Sequence, residues 1–126
     1  PRPIALVGDT TAGLPALAVE QHEGYLTVDG SLIRGDNIFA LRVKGESMIE
    51  AGILDGDYVL IRRQEMVDDG EAALVLVEGE EATIKKIFRH GRKVELRPAN
   101  QHMTSMIYDW NRVAIQGKVV GVFRVV

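Results

Sequence analysis

The sequence has no cysteine among its 126 residues and only four prolines. Disulfide bonds and thiolate metal sites are therefore excluded, and packing and hydrogen bonds must hold the fold together. The strongly polar composition of a disordered chain is also missing, since 46% of the residues are hydrophobic and 26% are charged. We expect residues 1–126 to form one domain around one core, because this length is typical of a single domain.

An excess of basic residues and long apolar runs are also absent. The net charge is -3, and nonspecific affinity for nucleic acid comes largely from Lys and Arg, so we expect this segment to bind DNA poorly. No apolar run approaches the roughly 20 residues that a membrane helix needs, and the first residues do not resemble a signal peptide. These features predict a soluble chain without a membrane partner. Because the chain begins with Pro rather than Met, we expect it to be a fragment or a processed product.

What the sequence does contain is a series of short runs rich in β-branched residues, each ending at turn residues. Residues 78–80 and 90–91 predict the turns of two consecutive hairpins, and the glycines inside the last run indicate a bend or bulge. The one helical candidate is a short turn over residues 47–52. This pattern predicts an all-β fold, either a barrel or a coiled, partly open β-sheet. The predicted strands cover residues 3–7, 25–28, 38–43, 57–62, 72–77, 81–89, 93–97 and 113–126.

Ser47 follows a predicted strand that ends at Gly45. A glycine allows a sharp backbone path, and the free N–H groups at the opening of a turn can face a developing oxyanion, so this is a suitable position for a nucleophile. A serine in such a place is more often a simple helix cap. The serine alone therefore leaves both interpretations open.

A nucleophilic serine needs a general base, and the three histidines are poor candidates for it. His22 and His102 lie in polar, loop-like segments and His90 lies in a predicted turn, so no strand fixes their geometry. The alternative is a lysine that burial keeps neutral, since desolvation disfavours the charged ammonium.

Two adjacent lysines, Lys85 and Lys86, lie in the predicted strand 81–89. Alternation puts Lys85 on the face of Ile87 and Lys86 on the face of Phe88, so periodicity does not decide which lysine faces the core. The ordinary alternative is that both are solvated.

Four segments closely resemble, in order and spacing, the signatures of the LexA repressors and their self-cleaving relatives. The corresponding family patterns are G-x-S-M, G-I-x-D-G-D, x-T-x-K and K-V-x-L-x-P-x-N. The resemblance covers nearly the whole chain and implies a coiled β-sheet or partly open barrel of the LexA and signal-peptidase type, with at most one short helical turn. In this sequence the segments are Gly45-Glu46-Ser47-Met48, residues 52–57, Ala82-Thr83-Ile84-Lys85 and residues 93–100.

The resemblance also implies the chemistry. Ser47 would be the nucleophile, Lys85 its general base, and the backbone N–H groups of Glu46 and Ser47 the oxyanion donors. No cofactor or metal ion is implied. The substrate would be the chain itself, cut between Ala12 and Gly13 in a loop over about residues 8–17.

Further expectations concern partners. The family resemblance implies a repressor of the SOS response in the bacterial cytoplasm, a homodimer for which residues 119–126 offer an edge strand, and a RecA filament on single-stranded DNA as activator. Operator DNA would be bound only through an N-terminal helix-turn-helix domain that is absent from this chain. The alternatives are a UmuD-like accessory subunit of a translesion polymerase, a phage repressor, and a non-catalytic β domain for dimerisation.

Overall fold

The computed structural model describes residues 2–9, 24–33 and 35–126. The described chain forms nine strands and two short 3-10 turns. The 3-10 turns are Ile49–Ala51 and Trp110–Arg112. The strands are β1 (Arg2–Asp9), β2 (Gly24–Val28), β3 (Ile38–Arg42), β4 (Tyr58–Arg63), β5 (Ala72–Val77), β6 (Glu81–His90), β7 (Lys93–Arg97), β8 (Met106–Asp109) and β9 (Val113–Phe123).

All nine strands belong to one sheet in the order β2-β1-β3-β4-β9-β5-β6-β7-β8. The β1 and β3 pair is parallel, whereas the other seven pairs are antiparallel. The prediction of an all-β fold is confirmed, in the form of an open mixed sheet. The two predicted hairpins are also present, as β5 with β6 and β6 with β7. The edge strand β8 and the second 3-10 turn were not predicted from the sequence.

Strand β9 bridges β4 and β5, and the use of residues 119–126 as an edge for pairing with a second copy stays a prediction. Its pairing with β4 covers residues 117–123, whereas its pairing with β5 covers only residues 113–118. Residues 119–123 therefore pair with β4 alone in this sheet, which leaves their other side as an edge. The predicted irregularity is present, because the register of β9 shifts once against each neighbour. These shifts fall beside Gly117 and Gly121, as expected for bulges.

Packing of buried apolar side chains holds the turn after β3 against β6. A buried cluster joins Met48 and Ile53, from that turn, to Leu74 on β5 and Ile84 on β6. A second cluster contains Ile87 of β6 together with residues of β5, β7 and β9. Strand β6 therefore carries buried residues on both of its faces, and the turn is fixed against it by apolar packing.

The start of the predicted cleavage loop differs from the expectation. Gly8 and Asp9 belong to β1, since the strand resumes pairing with β3 at Asp9 after a register shift. The first two residues of the predicted loop, 8 and 9, are therefore part of a strand. Ala12 and Gly13 lie outside the described residues. Within the described part of the chain, no helix is long and apolar enough to cross a membrane.

Candidate active site

Ser47 lies on the turn between β3 and β4. The backbone changes direction at Gly45, whose φ of 91° is in the left-handed region that favours glycine. The Gly45 N–H donates to Asp55 Oδ1 at 2.7 Å. The 3-10 turn that follows is capped at Met48 without a side-chain hydrogen bond, so the Ser47 hydroxyl is not a helix cap. The interpretation of Ser47 as a cap was therefore wrong.

The ammonium group of Lys85 reaches this hydroxyl from β6. Lys85 Nζ lies 3.2 Å from Ser47 Oγ and 2.6 Å from Thr83 Oγ1. Burial lowers the pKa of Lys85 from its usual 10.5, while the nearby Glu81 carboxylate opposes this effect. The structure thus brings together the predicted serine and lysine, and it selects Lys85 rather than Lys86.

A segment directly after β7 holds the serine turn from the other side. The Asn100 side-chain amide donates to the Glu46 carbonyl at 2.9 Å. The Ala99 N–H donates to the Ser47 carbonyl, and the Glu50 N–H donates to the Ala99 carbonyl, both at 2.8 Å. These bonds fix successive peptide units of the turn against a buried segment.

A buried carboxylate stabilises the end of the same turn. Asp57 is 2% exposed and accepts hydrogen bonds from the Leu54 N–H at 2.7 Å and from two Arg124 nitrogens at 2.7 Å each. These bonds with the Arg124 guanidinium are the main reason that the pKa of Asp57 is lowered. Arg124 also donates to the Gly52 carbonyl at 3.1 Å, so it links the C-terminal end of the chain to the turn that follows Ser47.

Sequence reasoning gave no individual role to Thr83, Asn100 or Arg124. Thr83 and Asn100 each stand in a segment that carried the family resemblance, and Thr83 also precedes Lys85 by two residues, which places both on one face of a strand. Those two signals could have identified them. Arg124 offered no such signal, because its partner Asp57 is 67 positions away in the chain.

The hydrogen bonds of His90 and His102 are made to residues other than Ser47. His90 Nε2 lies 2.8 Å from Glu95 Oε1, and the His102 N–H donates to the Asn100 side-chain oxygen at 2.9 Å. His22 is outside the described residues. For a base at Ser47, the geometry therefore supports the lysine.

Ser47 and Lys85 open into a cleft of about 250 Å³, and Met103 stands at its wall. The described residues contain no group of three or more His, Asp or Glu side chains that could hold a metal ion. A hydroxyl beside a partly desolvated amine is an arrangement suited to nucleophilic attack on a carbonyl, with the amine as base. The predicted cut site cannot be placed in this cleft, because Ala12 and Gly13 lie outside the described residues.

Comparison with known proteins identifies similar chains. A family model described as Peptidase S24-like matches residues 5–120. A LexA repressor from Thermotoga neapolitana is 52% identical over 122 residues, which are 96% of this chain and 61% of that protein. A LexA repressor from Exiguobacterium sp. is 42% identical over 98% of this chain and 59% of its own length. A LexA repressor from Clostridioides difficile is 44% identical over 98% of this chain and 58% of its own length. The chain thus spans about three fifths of the curated relatives it matches.

Proposed function

This chain belongs to the Peptidase S24-like family, and from that premise we propose that residues 1–126 are the self-cleaving protease and dimerisation domain of a LexA-type repressor of the SOS response to DNA damage. The observation that carries the proposal is the distance of 3.2 Å between Lys85 Nζ and Ser47 Oγ, in a cleft. The repressor assignment is supported by relatives that are called LexA repressor and align with almost all of this chain.

In the proposed reaction, neutral Lys85 accepts the proton of Ser47 Oγ while this oxygen attacks the carbonyl carbon of Ala12. The backbone N–H groups of Glu46 and Ser47 stabilise the negative charge that develops on the Ala12 oxygen. When the peptide bond breaks, the Lys85 ammonium returns the proton to the departing Gly13 nitrogen. Water then hydrolyses the ester on Ser47. None of these steps requires a metal ion or a cofactor.

The burial of Lys85 gives this mechanism a pH dependence. A lowered pKa means that a larger share of Lys85 is neutral at a given pH below 10.5 than for an exposed lysine. The rate of self-cleavage should rise with pH and level off once Lys85 has lost its proton. A rate without any rise between neutral and alkaline pH would contradict the assignment of Lys85 as the base.

Regulation and partners extend the same proposal. We place the protein in the bacterial cytoplasm, with a RecA filament on single-stranded DNA favouring the conformation in which the cleavage segment occupies the cleft. Operator DNA would be bound through a helix-turn-helix unit outside these 126 residues, in keeping with relatives that are longer than this chain. A homodimer is part of the proposal, with residues 119–126 as its proposed edge, since the pairing of β9 with β5 ends at Lys118. Light scattering coupled to size-exclusion chromatography tests it, and a monomer at micromolar concentration would reject it.

The decisive experiment is intact-mass spectrometry of the chain after incubation at alkaline pH. We expect two fragments that meet between Ala12 and Gly13, and no fragments from Ser47→Ala or Lys85→Ala. Lys86→Ala is the matched control, since it removes the neighbouring lysine and should cleave like the unaltered chain. Cleavage that persists in Ser47→Ala would refute the proposed nucleophile, and cleavage elsewhere would refute the proposed site.

A further inference from the structure

Asn100 is buried, with 7% of its surface exposed, and its amide group has two partners of opposite polarity. The side-chain nitrogen donates to the Glu46 carbonyl at 2.9 Å, and the side-chain oxygen accepts from the His102 N–H at 2.9 Å. A carbonyl can only accept and an N–H can only donate, so these two partners fix which way the amide is turned. The Asn100 NH2 group therefore faces the Glu46 oxygen.

The Glu46 carbonyl and the Ser47 N–H belong to the same peptide unit. That unit is planar and trans, since the described residues contain no cis peptide bond, and in a trans peptide the C=O and N–H point in opposite directions. A bond that holds the Glu46 oxygen therefore also sets the direction of the Ser47 N–H.

The Ile49 N–H also donates to the Glu46 carbonyl, but at 3.4 Å, so the shorter bond from Asn100 is the stronger constraint on this peptide. Glu46 is exposed, and Gly45 before it has no side chain and lies in the left-handed region. A Cβ added at Gly45 would meet nothing within 4 Å, so packing does not restrict the peptide on that side. The Gly45 N–H is held by Asp55, and Asn100 provides the next anchor along the chain.

We propose that Asn100 is the positioning residue of the oxyanion site, acting through the Glu46 carbonyl to direct the Ser47 N–H at the reacting carbonyl. This inference rests on the proposed function, because it assigns a purpose to Asn100 only if Ser47 forms an acyl intermediate. Asn100 itself does not touch the substrate. The Ala99 N–H holds the Ser47 carbonyl in a similar way. That bond is made by the backbone, so of these two hydrogen bonds the one from Asn100 is the one that a substitution can remove.

The test measures the self-cleavage rate of the full chain against pH for Asn100→Asp, Asn100→Ala and the unaltered protein. Asn100→Asp keeps the shape but puts an oxygen against the Glu46 oxygen. We expect the rate on the alkaline plateau to fall at least about tenfold in both variants, since loss of an oxyanion donor costs about a hundredfold or more. The midpoint of the pH profile should stay in place in Asn100→Ala, because Asn100 is not a hydrogen-bond partner of Lys85, whereas the carboxylate of Asn100→Asp should raise it if it moves at all, as Glu81 does. Gln101→Ala is the matched control: it alters the next, exposed side chain and should cleave normally.

A second measurement separates misdirection of the N–H from a general loss of structure. The chain has no cysteine, so Ser47→Cys introduces a single thiol whose alkylation by iodoacetamide requires no oxyanion site. Adding Asn100→Ala, which introduces no charge, to this variant should change the alkylation rate less than twofold. Plateau rates within twofold of the unaltered chain would overturn the role of Asn100, and so would an alkylation rate that falls together with cleavage. If the unaltered chain cleaves but Ser47→Ala also does, the proposed nucleophile fails and the positioning role fails with it.

Discussion

Lys85 Nζ lies 2.6 Å from the hydroxyl oxygen of Thr83, two residues earlier on the same strand. This distance is shorter than the 3.2 Å to Ser47 Oγ, so the threonine is the nearer partner of the amine. Residues i and i+2 of a strand share one face, and the hydroxyl can accept a hydrogen bond from Nζ. A neutral amine that donates to Thr83 keeps its lone pair available for the Ser47 proton.

Thr83→Val should slow self-cleavage by about tenfold, because it removes the acceptor that orients Lys85 while keeping the size of the side chain. The pH midpoint should also move to a lower value, since a hydrogen bond that stabilises the ammonium is lost. Intact-mass measurements from neutral to alkaline pH give both quantities. Thr83→Ser retains the hydroxyl and should stay close to the original rate. A Thr83→Val chain that cleaves as fast as Thr83→Ser would show that this hydrogen bond has no catalytic consequence.

Lys85→Met should raise the melting temperature at neutral pH although it abolishes cleavage. The pKa of Lys85 is lowered by burial in the folded chain, so between that lowered pKa and 10.5 the unfolded chain binds more protons, and stability rises with pH. The variant lacks the Lys85 ammonium, so its gain in melting temperature over the unaltered chain should shrink as the pH approaches 10.5. Thermal unfolding at several pH values measures the difference. An advantage that is the same at every pH would argue against a desolvated ammonium.

Only part of the site could be predicted from periodicity. Ser47 stood out because Gly45 ends the preceding strand, but the choice between Lys85 and Lys86 could not be made from alternation. The structure explains why: Ile84 belongs to one buried cluster and Ile87 to another, so both faces of β6 are apolar. Alternation identifies an inward face only when the other face is solvated. The resemblance to a family resolved what the pattern could not.

The fold shows a similar division between local and long-range information. Strand positions and hairpin turns depend on nearby residues, and most of them were predicted within one or two positions. The bridging of β4 and β5 by β9 depends on partners far away in sequence, and nothing within its own residues shows which half pairs with which strand. Strand β8 has four residues that are mostly exposed, so it lacked a hydrophobic pattern and depends on pairing with β7.

Two glycines of β9 should respond differently to the same substitution. A Cβ at Gly117 would lie 2.5 Å from the carbonyl oxygen of Arg62, whereas a Cβ at Gly121 would meet Leu60 Cδ1 at 3.2 Å. Gly117→Ala should therefore destabilise the fold by about 3 kcal/mol or more, because backbone atoms of β4 would have to move. Gly121→Ala is the matched control and should change stability by no more than about 1 kcal/mol. Urea unfolding compares the two, and equal losses would contradict the close approach of β4 and β9.

The carboxylate of Glu95 should govern stability in acid. Hydrogen bonds from Arg97, Ser105 and His90, in that order of effect, lower the pKa of Glu95 from its usual 4.5 to about 2. The folded chain therefore favours the charged carboxylate, and this contribution is present above pH 4.5 and is lost as the pH falls toward about 2. Glu95→Gln should cost about 1 to 3 kcal/mol at neutral pH, because it weakens a buried, charge-assisted network.

The difference in unfolding free energy between the unaltered chain and Glu95→Gln should shrink across the same acid range, since a protonated Glu95 resembles the amide. Urea unfolding from pH 7 to pH 2.5 measures this change. Glu80→Gln, at an exposed position in the β5 to β6 turn, is the control and should change stability by less than about 0.5 kcal/mol. If the loss in Glu95→Gln were the same at pH 7 and pH 2.5, the ionised carboxylate could not be its source, and packing around the side chain would have to account for it.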